Sequence, residues 1–340
     1  MKRNPAAAGN TISGVRELGP PGTPYHLLAR TPVHRWWRPL VALLVAVALA
    51  LVALIAAIVL VGAFAVLPPG FDQTRLALLV ARPELIDKAG RDPFVLLYLS
   101  FAGLIALIPP VLLTAKWVQR RPARSLLGVT GRLRPRWLLE CLAGASVLLA
   151  AAFAVAALIA WLTGTPAGPG FPGWAAYARI ALLAVLVVPF QSAAEELVFR
   201  GFLLQTLTAW FRTPWPAIVL TSLVFLAGHG YTDPLVWCEL LVLAGAMCWL
   251  SVRTGGLEAG IGLHVANNSL SLLVGGLSGI PGVEQAGDFA VGDVVPFILA
   301  VLGYAWWADR RAARRELDTA VGGRIRITPG LRPESISAQA

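Results

Sequence analysis

Long apolar stretches alternate with short charged ones along most of the chain. The first runs uncharged from Leu40 to Leu67 and is stopped by Pro68-Pro69-Gly70. A run of about 20 apolar residues crosses the roughly 30 Å hydrocarbon core of a bilayer as a helix. Further runs cover Pro93 to Ala115, Trp137 to Leu162, Trp174 to Trp210, Pro214 to His229, Leu235 to Val252, Leu257 to Gly275 and Phe289 to Trp307. The pattern predicts an all-α, polytopic membrane protein of about eight transmembrane helices. Pro109-Pro110 should kink the second span. Gly230-Tyr231-Thr232-Asp233-Pro234 and Arg253-Thr254-Gly255-Gly256 mark turns between later ones.

The polar segments divide the chain. Residues 1–39, rich in Pro, Gly and Arg, predict a disordered cytoplasmic N-terminal tail closed by the interfacial Arg35-Trp36-Trp37-Arg38. In it His26 and His34 are expected to be solvated. Residues 40–136 hold two accessory spans and a basic loop. Lys116, Arg120, Arg121, Arg124, Arg132, Arg134 and Arg136 occur there with no acidic residue, which marks the loop as cytoplasmic. Residues 137–308 form the core, and 309–340 a second disordered cytoplasmic tail. Both termini are then inside.

Composition agrees with this reading: 57% hydrophobic and 14% charged residues, with a mean hydropathy of +0.71. A formal charge of +10 and a pI near 10.4 would suit nucleic-acid binding in a soluble protein. Here the basic residues gather between and outside the apolar runs, so the partner is the lipid bilayer and not nucleic acid. The three cysteines, Cys141, Cys238 and Cys248, lie in apolar runs without metal-ligand spacing. Arg outnumbers Lys, and Ala and Leu abound, which points to a bacterial chain in the plasma membrane.

Chemistry enters where charge interrupts an apolar span. Ser192-Ala193-Ala194-Glu195-Glu196-Leu197-Val198-Phe199-Arg200 places two carboxylates and a guanidinium inside the fourth span. Each ionisable group near the bilayer centre costs about 2.5 to 3.5 kcal/mol on insertion scales, so the set needs partners, water or a task. Glu196 and Arg200 are four apart and pair across one helical turn, which leaves Glu195, about 100° round the helix, free to act as a base. His229 follows Phe225 by four residues in the fifth span, and His264 precedes Asn268 by four in the seventh. A carboxylate and an imidazole can polarise a water while a second imidazole and an amide stabilise an oxyanion, the layout of a peptidase. The same Glu195, His229 and His264 could instead hold a divalent metal such as zinc, although the HExxH spacing is missing.

These motifs, in this order, resemble the CPBP intramembrane proteases, a family that includes type II CAAX prenyl endopeptidases and bacterial abortive-infection and bacteriocin-immunity proteins. Glu195, Glu196 and Arg200 match EExxxR, continued by Gly201-Phe202-Leu203. Phe225 and His229 match FxxxH, and His264 and Asn268 match HxxxN. The resemblance covers about Leu183 to Leu273. It implies that Glu195 and His229 activate the water, that His264 and Asn268 stabilise the oxyanion, and that Glu196, Arg200 and Phe225 support the site. The implied substrate is a peptide or lipidated protein at the inner leaflet. The alternative is a non-proteolytic immunity or scaffold protein of the same fold.

Depth tests the idea. Glu195 lies about 31 Å along its span from the outer start, and His264 about 10 Å from the inner start of its own. His229, about 22 Å from Pro214, comes out too deep. Residues Gly230 to Pro234 are therefore expected to lie within the protein and line a conical cavity open to the cytoplasm or inner leaflet.

Overall fold

The computed structural model describes residues 18–66, 92–165, 170–281 and 290–323. All regular elements among these residues are helical. The principal helices are α1 (Arg38–Val66), α2 (Pro93–Ile105), α3 (Ile108–Trp117), α4 (Pro135–Thr163), α5 (Trp174–Leu182), α6 (Val188–Glu196), α7 (Leu204–Phe211), α8 (Pro214–Ala227), α9 (Pro234–Thr254), α10 (Glu258–Gly275) and α11 (Val291–Arg314). Helices α5 to α7 form one continuous rod interrupted by two π-helical stretches, Leu183–Val187 and Leu197–Leu203. Helices α2 and α3 make one span broken just before Pro109-Pro110, the site where a ring without an N–H interrupts the ladder.

Among the described residues six helices are long and apolar enough to cross a membrane, and they account for six of the eight expected spans. The other two expected spans exist as helices and differ in kind. Helix α8 has only 14 residues, and α10 carries Glu258, His264, Asn267 and Asn268, which lower its hydropathy.

Helix α4 packs against α10 and α11, α9 against α8 and α11, and α6 against α10. Their shared core includes Trp137, Cys141, Leu149, Phe225, Met247 and Tyr304. The crossing of α4 and α10 is close because α10 presents Gly262, where a Cβ would fall 2.8 Å from the Cys141 carbonyl carbon. The outward surface is apolar, as a bilayer requires: Val147, Trp161, Trp174, Phe190 and Leu299 are all exposed.

The terminal segments correct the expected tails. Residues 1–17 and 324–340 lie outside the described residues, as do the loops 67–91, 166–169 and 282–289. From Leu18 onward the chain is packed, with Leu18, Tyr25, Leu28 and Ala29 buried. Gly22 N–H donates to the Val321 carbonyl at 2.8 Å, and Val321 N–H to that of Thr23 at 2.9 Å, so the two terminal segments pair. Helix α11 continues to Arg314 through the predicted start of the second tail. His26 is correspondingly not solvated; burial lowers its pKa to about 4.

The turn before α10 is anchored on both sides. Gly255 caps α9 in the left-handed conformation at φ 71°, and its carbonyl accepts from Val129 N–H at 2.9 Å. A Cβ there would lie 2.6 Å from the Asp318 carbonyl oxygen. Arg134 grips Glu258 at the start of α10 through Nε and Nη2, at 2.8 and 2.7 Å. The basic loop thus fixes where α10 begins and hence where His264 stands.

Candidate active site

Glu195 and Glu196 close helix α6, and Arg200 follows within the π-helical stretch. A π stretch inserts an extra residue per turn and re-aims side chains, and such stretches concentrate at functional sites. Arg200 Nη1 donates to Glu196 Oε1 at 2.8 Å, and both side chains have no exposed surface. The guanidinium also donates to the Ala244 carbonyl at 3.3 Å and lies 4.6 Å from the centre of the Phe225 ring. Hydrogen bonds and an aromatic face therefore surround a charge that would otherwise be costly to bury.

Glu196 has a second partner. His264 Nδ1 lies 2.8 Å from the same Oε1. An ionised carboxylate only accepts, so Nδ1 carries the hydrogen and Nε2 faces the other way. That nitrogen lies 3.4 Å from Glu195 Oε2. His264 is thus bracketed by both carboxylates. Room for Glu196 comes from Gly260, one turn before His264, where a Cβ would fall 2.6 Å from Oε2.

The other oxygen of Glu195 is held by amides. Gln191 Nε2 donates to Oε1 at 2.7 Å, Asn268 Nδ2 donates to Gln191 Oε1 at 3.2 Å, and Asn267 Nδ2 to Asn268 Oδ1 at 3.0 Å. Glu195 is 5% exposed, and its Oε2 is buried without a hydrogen-bond partner. A carboxylate oxygen in that state calls for a proton or a water.

His229 reaches the cluster through Phe225. Its ring lies 4.5 Å from the Phe225 ring, and that of His264 lies 5.9 Å from it. His229 Nδ1 is 2.7 Å from the Phe225 carbonyl oxygen, so this nitrogen donates and Nε2 faces away from that bond. Helix α8 ends at Ala227, about 21 Å from its start, short of a full crossing. Gly230 and Tyr231 line a cleft of about 240 Å³ with Leu223, Leu226, Ala227 and Trp237. None of the candidate residues lines that cleft, and Gly230, Thr232 and Pro234 are exposed, so the turn lies at the surface and not in a cavity shared with the site.

Glu195, Glu196, Arg200, Phe225, His264 and Asn268 come together from α6, its π stretch, α8 and α10, while His229, in the turn after α8, meets them only through Phe225. Gln191, Ser192 and Asn267 belong with them and were not singled out from the sequence. The available signal was Gln191, a polar residue one turn before Glu195 in an apolar span. Among the described residues no three His, Cys, Asp or Glu side chains come together as a set able to hold a metal ion. Glu195 and His264 supply two neighbouring donors.

Residues 174–270 match the family described as type II CAAX prenyl endopeptidase Rce1-like. The matched segment is similar to that family. It contains every candidate residue, and its ends lie near the start of α5 and within α10. A Bacillus subtilis (strain 168) protein described as "Uncharacterized protein YyaK" is 28% identical over 192 residues, 54% of this chain and 63% of its own length. An Escherichia coli protein, "Uncharacterized 24.3 kDa protein", is 34% identical over 83 residues, 24% of this chain and 38% of its own length. The matched regions span less than two thirds of either relative. No solved structure matches the chain. The family match covers residues 174–270 alone, and it is these residues that are similar to type II CAAX prenyl endopeptidases.

Proposed function

We propose that the protein is an intramembrane endopeptidase that hydrolyses a peptide bond in a membrane-associated or lipid-anchored peptide, with its basic segments and both termini on the cytoplasmic side of a bacterial plasma membrane. The observation that carries this reading is the unpartnered Glu195 Oε2 facing His264 Nε2 at 3.4 Å. A water within hydrogen-bond reach of both atoms would have one hydrogen on each, leaving its lone pairs free for attack. Its oxygen bonds to the scissile carbonyl carbon while Glu195 takes a proton. That proton then passes to the leaving amine as the C–N bond breaks. Asn268 directs its amide towards the oxyanion, and Glu196 with Arg200 holds the His264 tautomer. His229 stands next to Gly230, which lines the cleft where a peptide would enter.

The test is cleavage of a lipidated peptide by the purified full-length protein, with and without a chelator. Glu195→Gln abolishes turnover if the reading holds, while wild-type turnover that survives chelation assigns the step to side chains alone. Undiminished cleavage by the Glu195→Gln variant refutes it.

A further inference from the structure

A groove runs along the outside of the bundle between α4 and α11, away from the site above. Its upper part is a cleft of about 580 Å³ walled by Ala143, Gly144, Val147 and Trp306 and closed at one end by Arg310 and Arg314. Its lower part, about 570 Å³, is lined by apolar residues that include Leu148, Val155, Val295 and Leu299. Val147 and Leu148 are neighbours, so the two parts form one lane. The floor is deep because α4 has a glycine at 144: a Cβ there would lie 2.6 Å from the Trp307 ring, which stacks instead against Trp137.

The charge at the mouth is unbalanced. Glu140 is the one carboxylate lining the cleft, and it is taken by Arg311 Nε at 3.2 Å and Arg315 Nε at 2.8 Å. Arg310 and Arg314, four apart on α11, are exposed and lie outside that pairing. Arg310 stands 5.4 Å over the ring of Trp306, itself 62% exposed, the pairing found where a helix leaves the hydrocarbon for the headgroup region. From Arg310 back to Leu299 the helix rises about 16 Å, the hydrocarbon depth of one leaflet.

We propose that this groove binds an anionic phospholipid of the leaflet facing the basic segments, its phosphate between Arg310 and Arg314 and an acyl chain along Val147 and Leu299. A guanidinium pair binds phosphate oxygens with geometry that an ammonium does not supply, and the apolar lane selects a phosphate that carries a chain.

The experiment uses delipidated full-length protein in detergent and reads bound lipid by native mass spectrometry, with the melting temperature alongside. Phosphatidylglycerol binds and raises the melting temperature, and phosphatidylcholine does neither. Arg310→Gln with Arg314→Gln weakens phosphatidylglycerol binding roughly 30-fold. Val147→Trp, which fills the lane without changing charge, weakens it comparably. Arg120→Gln with Arg132→Gln, an equal loss of charge from exposed loop positions, leaves it unchanged. Equal binding of phosphatidylcholine, equal losses in the loop variant, or displacement of the lipid by millimolar inorganic phosphate overturns the proposal.

Discussion

Two charged clusters are buried along the same helical rod. One joins Glu195, Glu196 and Arg200 to His264. The other, about nine residues further along, joins Gln205 and Thr206 to Arg121, Gln119 and Ser125. In the second, Arg121 is 3% exposed and donates only to neutral acceptors, Gln119 Oε1, Ser125 Oγ and Gln205 Oε1. Its unmatched atom is a donor, Nη2. In the first, Arg200 Nε is unmatched too, but carboxylate oxygens of Glu195 and Glu196 are also left over beside an imidazole nitrogen. Burial of charge therefore does not by itself mark chemistry. What separates the clusters is the nature of the surplus: a guanidinium donor cannot take a proton from water, whereas a carboxylate oxygen can.

The sharpest test of that distinction sets Glu195→Gln against Arg121→Met. The first removes the base and keeps the shape, so cleavage falls by about 10²–10⁴-fold with little change in melting temperature. The second leaves two amide oxygens and a hydroxyl without their donor, so the fold loses about 1–3 kcal/mol while turnover per folded molecule stays within a few-fold. Paired activity and melting measurements that reverse these effects would erase the difference between the clusters.

Gly260→Ala probes how tightly the first cluster is held. Alanine favours a helix interior over glycine by about 1 kcal/mol, so propensity alone predicts a more stable protein. The added Cβ would fall 2.6 Å from Glu196 Oε2, and the expected result is a loss of activity near 100-fold without a gain in stability. A more stable and fully active variant would show that the site does not need Glu196 where it stands.

Much of this contrast was readable in the chain, and the unread parts share a cause. The i,i+4 spacing placed Glu196 on Arg200 and His264 beside Asn268, because that spacing is a property of one helix. The bond from His264 to Glu196 depends on how α10 is rotated against α6, which Gly260 and the Arg134–Glu258 pair set from elsewhere. Glu196 was therefore read, with Arg200, as a support for the site, without its direct bond to His264. The π stretch after Glu196 follows from packing and leaves no periodic trace. The first strap, 18–37, read as a tail because its burial rests on isolated residues, Leu18, Tyr25 and Leu28, and not on a stripe. The long apolar runs were legible because a bilayer demands them directly. The other two expected spans are helices that stand apart from these, because α8 is short and α10 carries the polar residues of the site.

The strap supplies a pH test. His26 Nδ1 is buried without a partner, and burial holds the folded-state pKa near 4 against an ordinary value of 6.5. Between these values the unfolded strap binds a proton that the docked strap refuses, so docking weakens as pH falls from about 6.5 and levels off below about 4, by at most about 3 kcal/mol. Protease protection of residues 18–37 should follow this curve, and His26→Gln should flatten it. Cleavage per docked molecule should not follow it, since His26 touches neither cluster's surplus atoms.

The smallest expected effect lies where the two clusters meet. Tyr25 Oη lies 2.9 Å from the Leu126 carbonyl and 3.2 Å from the Arg200 carbonyl, joining the strap to the π stretch that carries Arg200. Tyr25→Phe keeps the buried ring and removes only the hydroxyl, which should lower stability by about 1 kcal/mol. Because the bond is to the backbone of Arg200 and not to its guanidinium, the Glu196 and His264 contacts persist and cleavage changes less than a few-fold. A tenfold loss of cleavage at an unchanged melting temperature would mean that the strap sets the register of the π stretch, and the clusters would then be one coupled unit.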